Sequence, residues 1–339
     1  MPESGIPLRM GVAGTGSLGF HHARILRDLP KVRMQGFFEI RPERAREVAG
    51  ELGVEARESL EALLDIIDAL VVAVPTSAHE EVAMAAAERG IHVLVEKPMA
   101  PDLTAADRIL AAAEASGAKI QIGHVERFNP AILAAEPYLD GPLFIESHRI
   151  APFVPRSTDV AVVLDLMIHD VDLVLSLVKD SIQDIAAVGV PVLTPNVDIA
   201  NARLTFQGGA VANLTASRVS VERMRKLRIF QRSGYLSLNL ADGTGEFLRL
   251  RESLPALSGH GKVRAAILEE GLGALVDRIP LEGERQEPLR RELENFRDAC
   301  LGRGESAVTG RDGRQALAVT LSIEERIRSH VAHSHPPQA

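Results

Sequence analysis

Leu8-Arg9-Met10-Gly11-Val12-Ala13-Gly14-Thr15-Gly16-Ser17-Leu18-Gly19 decides the fold of this chain of 339 residues. A short apolar run with the character of a β-strand enters a turn with three glycines and then opens a helix, which is the context in which G-x-G-x-x-G acquires meaning. Gly14 permits the tight turn, Gly16 lets backbone approach a pyrophosphate at the helix N-terminus, and Gly19 allows the helix to pack close to the sheet. The intervening Thr15, Ser17 and Leu18 complete the expected cofactor contact. Twenty residues after Gly19, at the end of the next predicted strand, stands Glu39. A carboxylate there accepts hydrogen bonds from the ribose hydroxyls of NAD and repels the 2′-phosphate of NADP. Arg41 could pair with that phosphate, so NAD is favoured and NADP stays open.

Outward from this turn, β-rich runs alternate with helical ones as far as Gly123, the pattern of a parallel sheet with crossover helices. The predicted strands are Leu8 to Ala13, Val32 to Phe38, Ala69 to Val74, His92 to Glu96 and Lys119 to Gly123. Ser77-Ala78-His79-Glu80 reads as a capping box opening a helix that closes at Gly90, and Gly117 ends the next helix. Beyond Gly123 the pattern predicts one apolar helix from about Val160 to Val178, then strands between Ile182 and Leu250. Among these are Ile199 to Phe206, Ala210 to Ser217, Lys226 to Arg232 and Tyr235 to Leu240, joined by turn signals in a mostly antiparallel sheet. Leu289 to Leu301 and Arg314 to Arg328 read as helices. The expected division is a dinucleotide-binding domain over 1–123, an α+β substrate and oligomerisation domain over 124–329, and a disordered tail over 330–339.

Glu96-Lys97-Pro98 closes a predicted parallel strand at its C-terminal end, where open α/β sheets bind ligands. Lys97 can there donate a hydrogen bond to a substrate hydroxyl and stabilise a developing alkoxide; a plain surface lysine after a strand is the competing reading. On the apolar helix, Asp165, His169 and Asp172 stand at i, i+4 and i+7 and share a face. Ionisable groups on such a helix cost stability unless paired or used. They serve either as a general base with its orienting carboxylate or as a buried packing pair. With one histidine on the helix and no other cluster completing a ligand set, no metal site is expected.

A net charge of −8, 4% aromatic residues and no Trp argue against nucleic acid as a partner. The single Cys300 excludes an internal disulfide and fits a reducing compartment. No leader pattern and no apolar run of membrane-spanning length is present, so a cytoplasmic protein is expected.

Taken together, the glycine turn, Pro75-Thr76 with His79, Glu96-Lys97-Pro98 and the Asp165, His169, Asp172 helix resemble the Gfo/Idh/MocA family of sugar and polyol dehydrogenases, in the family's order and nearly end to end. The resemblance implies an N-terminal Rossmann domain with a doubly wound parallel sheet and a C-terminal domain with a large open sheet that forms a homodimer or homotetramer contact. It implies Lys97, Asp165 and His169 as the catalytic set, with Pro75, Thr76, His79, Glu96 and Pro98 at the cofactor. At Gly123-His124 many relatives carry Asn in place of His124. This stretch, with Ala151 to Arg156 and Asp159 to Asp165, resembles the branch that oxidises the 3-hydroxyl of UDP-N-acetylglucosamine. Candidate substrate contacts are His124, Arg127, Arg156, Asp172 and Arg218, the last from a basic run (Arg218, Arg223, Arg225, Lys226, Arg228, Arg232) suited to a diphosphate. Two alternatives stay open: a dehydrogenase of a free polyol or hexose, and a non-catalytic NAD-binding regulator. So does the choice of Lys97 or His169 as proton acceptor.

Overall fold

The glycine-rich run folds as its pattern predicts: β1 (Leu8–Ala13) ends at the turn and α1 (Ser17–Arg27) begins beyond it. The computed structural model describes residues 6–154, 161–251 and 275–334. Two units emerge, one comprising the chain to Phe128 together with Gln286–Val319, the other Asn129–Arg285 with the chain from Thr320 on.

In the first unit, β2 (Val32–Phe38), α2 (Pro42–Leu52), α3 (Leu60–Leu64), β3 (Ala69–Val72), α4 (His79–Ala87), β4 (His92–Glu96), α5 (Leu103–Ser116) and β5 (Ile120–Gly123) follow α1. The five strands are parallel in the order β2-β1-β3-β4-β5. A parallel bridge between Phe37 and Ala56 extends the sheet beyond β2, giving the succession of a Rossmann sheet whose third strand is reduced to a bridge. Every residue of β3 and β5 is buried, because helices cover both faces; that is why these strands read as continuous apolar runs. The capping box does not form. Ser77 lies inside a 3₁₀ turn, Thr76–Ala78, and α4 starts after it with no side-chain cap. Gly117, in contrast, ends α5 in the left-handed conformation as expected.

The sequence reading places a single boundary between the two domains, at 123/124. In the structure α8 (Pro288–Cys300) belongs to the first unit, where Leu289, Leu293 and Phe296 join Met10, Val12, Leu26 and Phe37 in one core. Local periodicity announces such a helix but not the core that receives its apolar face.

The second unit is built on an eight-stranded sheet. Its elements are α6 (Pro130–Ala135), β6 (Phe144–Pro152), α7 (Ile168–Val178), β7 (Ile182–Val190), β8 (Ile199–Phe206), β9 (Val211–Ser220), β10 (Met224–Gln231), β11 (Gly234–Asn239), β12 (Thr244–Leu250) and β13 (Val276–Glu282). The order is β13-β12-β11-β10-β6-β9-β8-β7, antiparallel throughout except for β6 beside β9. β6 has no counterpart among the predicted strands although it sits mid-sheet. Its inward positions are Ile145, Ser147 and Arg149, so two of the three buried side chains are polar and the usual alternation is masked. One face of the sheet carries Ala200, Ala202, Leu204, Leu227 and Ile229 into the core. The other is polar, with Asn201 bonded to Thr215 and Arg203 to Asn213.

Two further expectations change. The apolar helix is a regular α-helix only from Ile168; Val163–Met167 forms a wide π-helical turn, so Asp165 and His169 belong to differently wound segments. Nor is the tail disordered from 330. α9 (Gly310–Ser334) carries residues 330–334, whose sequence lacks the apolar stripe that marks a helix; residues 335–339 lie outside the described residues.

Candidate active site

The cofactor cradle is assembled at the C-terminal edge of the parallel sheet. Gly14 has φ +82°, and a Cβ there would stand 2.8 Å from the Ala73 carbonyl oxygen. At Gly19 a Cβ would lie 1.9 Å from the carbonyl oxygen of Gly14, which is the close helix packing the fingerprint requires. Gly16 differs: its missing Cβ faces open space, with nothing nearer than Arg41 Nη2 at 3.8 Å. α1 starts here with no side-chain cap and no acidic residue in its first turn, leaving N–H groups and the positive end of the helix dipole for an anion. Ser17 and Leu18 are exposed beside it. Arg44 braces the turn from α2, donating from Nε to the Thr15 carbonyl at 2.9 Å while its guanidinium lies over the Phe20 ring.

Glu39 ends up beside this turn. Its Oε2 accepts from the Thr15 N–H at 2.9 Å, and its Oε1 accepts from Arg41 Nε at 2.8 Å. Burial opposes ionisation, yet the Arg41 guanidinium and the Thr15 and Arg41 N–H groups outweigh it and hold the carboxyl at about 2. The Thr15 side chain turns inward to Glu39 instead of toward the cofactor space. Next to Glu39 a cavity of about 600 Å³, lined by Phe38, Ile40, Pro42, Ala45 and Arg57, continues outward. Open space at Gly16, uncapped N–H groups and an ionised acid at the second strand fit a dinucleotide.

Along the same edge, β4 ends in Glu96-Lys97-Pro98, with the Lys97–Pro98 peptide cis. His79 is buried, its Nδ1 2.9 Å from the Pro98 carbonyl oxygen and its Nε2 3.0 Å from that of Val74. Burial pushes its pKa down. Expected at the cofactor, His79 is instead a clamp between the Lys97 turn and the loop that carries exposed Pro75 and half-buried Thr76. His124 follows β5 and is buried, while Arg127 on the next 3₁₀ turn is half-buried.

In the second unit the π-turn presents Asp165 and the first turn of α7 presents His169, both half-buried, with Asp172 buried one turn further on. Sequence reasoning passed over Asp170. It forms a buried two-pronged ion pair with Arg149 of β6, at 2.8 and 3.1 Å, which fixes the start of α7 on the sheet. Asp170 stands in the same acidic run as Asp165 and Asp172; nothing in that run distinguishes the acid that pairs inward. Arg218, expected at the substrate, is committed inside the unit: it donates to Asp198 at 2.8 Å and lies beside Thr194. Asp198 also accepts from the N–H groups of Val192, Leu193 and Thr194; burial resists, but these donors hold its carboxyl well below the usual range. The basic run is therefore divided. Lys226 and Arg228 lie on the open sheet face, Arg228 beside Glu146, and Arg225 lies toward the core side. Arg156 lies outside the described residues.

A dinucleotide cradle, an acid keyed to its glycine turn and a lysine at the end of the fourth parallel strand define an NAD-dependent oxidoreductase. The chain belongs to the Gfo/Idh/MocA oxidoreductase family: the family's NAD-binding Rossmann-fold model matches residues 8–124 and its C-terminal domain model matches residues 146–237. It is 35% identical to the UDP-N-acetylglucosamine 3-dehydrogenase of Acidithiobacillus ferrooxidans over 96% of this chain and 98% of that one. The solved structure of that enzyme superposes with a TM-score of 0.85, covering 96% and 99% of the two chains at 34% identity. A scyllo-inositol 2-dehydrogenase (NAD(+)) of Bacillus subtilis is 28% identical over 63% of this chain and 68% of its own. The Lactobacillus casei scyllo-inositol dehydrogenase with bound NAD(H) and scyllo-inositol has the same fold, with a TM-score of 0.75 at 20% identity over 96% and 98% of the two chains.

Proposed function

We propose that the protein oxidises the 3-hydroxyl of a UDP-N-acetylglucosamine-type nucleotide sugar to a ketone. The observation carrying this reading is the 35% identity, nearly end to end, to an enzyme of that activity, in a chain that carries Lys97, Asp165 and His169. Bound NAD supplies the hydride acceptor. As the C–H bond breaks with its electron pair, the hydroxyl proton leaves and a C=O bond forms, so a base must meet the oxygen. His169 accepts that proton, Asp165 sets its tautomer, and the Lys97 ammonium hydrogen-bonds the same oxygen as charge builds on it. His124 and Arg127 contact the sugar nucleotide. Lys97→Ala and His169→Ala should each lower kcat by about a hundredfold or more while NADH affinity stays within about twofold. Turnover that survives either change contradicts the assignment.

A second reading, a free polyol such as an inositol, is favoured by the inositol dehydrogenase relatives. The protein works as a homodimer or homotetramer joined through the open face of the eight-stranded sheet, and in the cytoplasm, where NAD and a lone thiol are both at home. Among the described residues no helix is long and apolar enough to cross a membrane.

A further inference from the structure

Beneath the Lys97 turn, inside the first unit, lies a buried polar group that neither the cofactor cradle nor the proton transfer uses. His22 faces inward from α1, Glu96 ends β4, and Glu292 projects from α8, each 6% exposed or less. One imidazole nitrogen and one carboxylate oxygen from each acid lie within 4.8 Å of one another. His22 Nε2 is 2.6 Å from Glu96 Oε1, and Glu96 Oε2 accepts the Lys97 backbone N–H at 3.2 Å. Gly123, opposite Glu96 in the β4–β5 register, leaves room for this arrangement, since a Cβ there would stand 2.9 Å from the Glu96 carboxylate. Gln121, two residues earlier on β5, ties α8 in place by donating to the Glu292 carbonyl at 3.3 Å.

Two carboxylates this close in a water-poor interior repel one another when both are ionised, and the contact of His22 Nε2 with Glu96 relieves part of that cost from the Glu96 side. Glu96 thereby has one oxygen anchored to His22 and the other directed at the Lys97 peptide. We propose that His22 and Glu292 are positioning residues for Lys97: His22, balanced by Glu292, fixes the Glu96 carboxylate and through it the backbone from which the Lys97 side chain departs. A misplacement of about 1 Å at such a group costs up to a hundredfold in rate. The inference rests on the reading of Lys97 as the group that meets the reacting oxygen. A divalent cation is the competing occupant, but two ligand atoms each about 2.0–2.2 Å from one metal ion stand about 3 Å or more apart. The separation of 2.6 Å is that of a short hydrogen bond.

The test uses the full chain with four variants: His22→Leu, His22→Gln, Glu292→Gln and the His22→Leu/Glu292→Gln double. Steady-state kinetics, NADH titration, melting of the apoprotein and metal analysis are read for each. His22→Leu is expected to lower kcat about tenfold or more with NADH affinity within about twofold, and His22→Gln, which places an amide N–H near the same carboxylate, to restore most of it. The double variant should recover part of both the kcat and the Tm lost in His22→Leu, because the second buried charge is gone. A packing role would show no such recovery. Unchanged kcat in His22→Leu, or a loss that neither His22→Gln nor Glu292→Gln repairs, overturns the proposal. So does a stoichiometric divalent metal present in the wild type and absent from His22→Leu. If the wild type oxidises none of the sugars offered, the functional reading fails separately, and recovery of Tm in the double variant still decides whether the three side chains are coupled.

Discussion

Glu39 shows how much one side chain can specify. Its position after β2 follows from the glycine fingerprint and was legible from spacing, because a parallel βαβ unit brings those two chain segments together by topology. Its tie to the turn was not: the Thr15 N–H comes next to Glu39 only when β1 and β2 pair, whereas Arg41 is a neighbour in sequence. Glu39→Gln should weaken NAD binding about ten- to hundredfold and improve binding of NADP, since the charge that excludes the 2′-phosphate is removed and Arg41 is released toward it. Titration of both cofactors checks this, and an unchanged preference would refute it. The same carboxyl makes a pH prediction. Held at about 2 against an ordinary 4.5, it favours the folded state when ionised, so its contribution is complete above pH 4.5 and disappears as pH falls toward 2. The Tm gap between wild type and Glu39→Gln should therefore close across that window. The Asp170–Arg149 pair was illegible for the same reason as Thr15: its two halves lie on α7 and β6, and no local pattern joins them.

At the scale of elements, strands with an apolar interior were readable to within a residue or two, as continuous apolar runs at β1 and β4 and as clean alternation at β8. What resisted was regular structure built around polar interiors. β6 buries Ser147 and Arg149, and the turn before α7 widens into a π-helix where Asp165 enters, a distortion that recurs at functional sites. Asp198 illustrates how such polar interiors hold an element together. It gathers three consecutive backbone N–H groups and Arg218, pinning the loop between β7 and β8 to β9. Asp198→Ala leaves the buried guanidinium without this partner and should cost about 3–5 kcal/mol in urea unfolding. A change below about 1 kcal/mol would mean that the ion pair is replaced by solvent at little cost.

For the whole molecule, the fold class followed from the alternation of elements in the first 123 residues and the run of strands after them, but the unit boundaries did not. α8 returns to the first core late in the chain, and a long-range packing choice of that kind leaves no local mark beyond an amphipathic helix. That return supplies Glu292 next to Glu96, so the part least visible in sequence bears on the site. The open, polar face of the eight-stranded sheet predicts association: light scattering at micromolar protein should report a dimer or tetramer, and a monomer would refute the sheet-face contact. The claim that matters most, oxidation of a nucleotide-linked sugar, is tested by following NADH formation with purified protein and NAD, offering UDP-N-acetylglucosamine, myo-inositol and glucose in parallel. Turnover of the UDP-sugar, with little or none of the free polyol and hexose, is the predicted result. Turnover of myo-inositol or glucose with none of the UDP-sugar would contradict it.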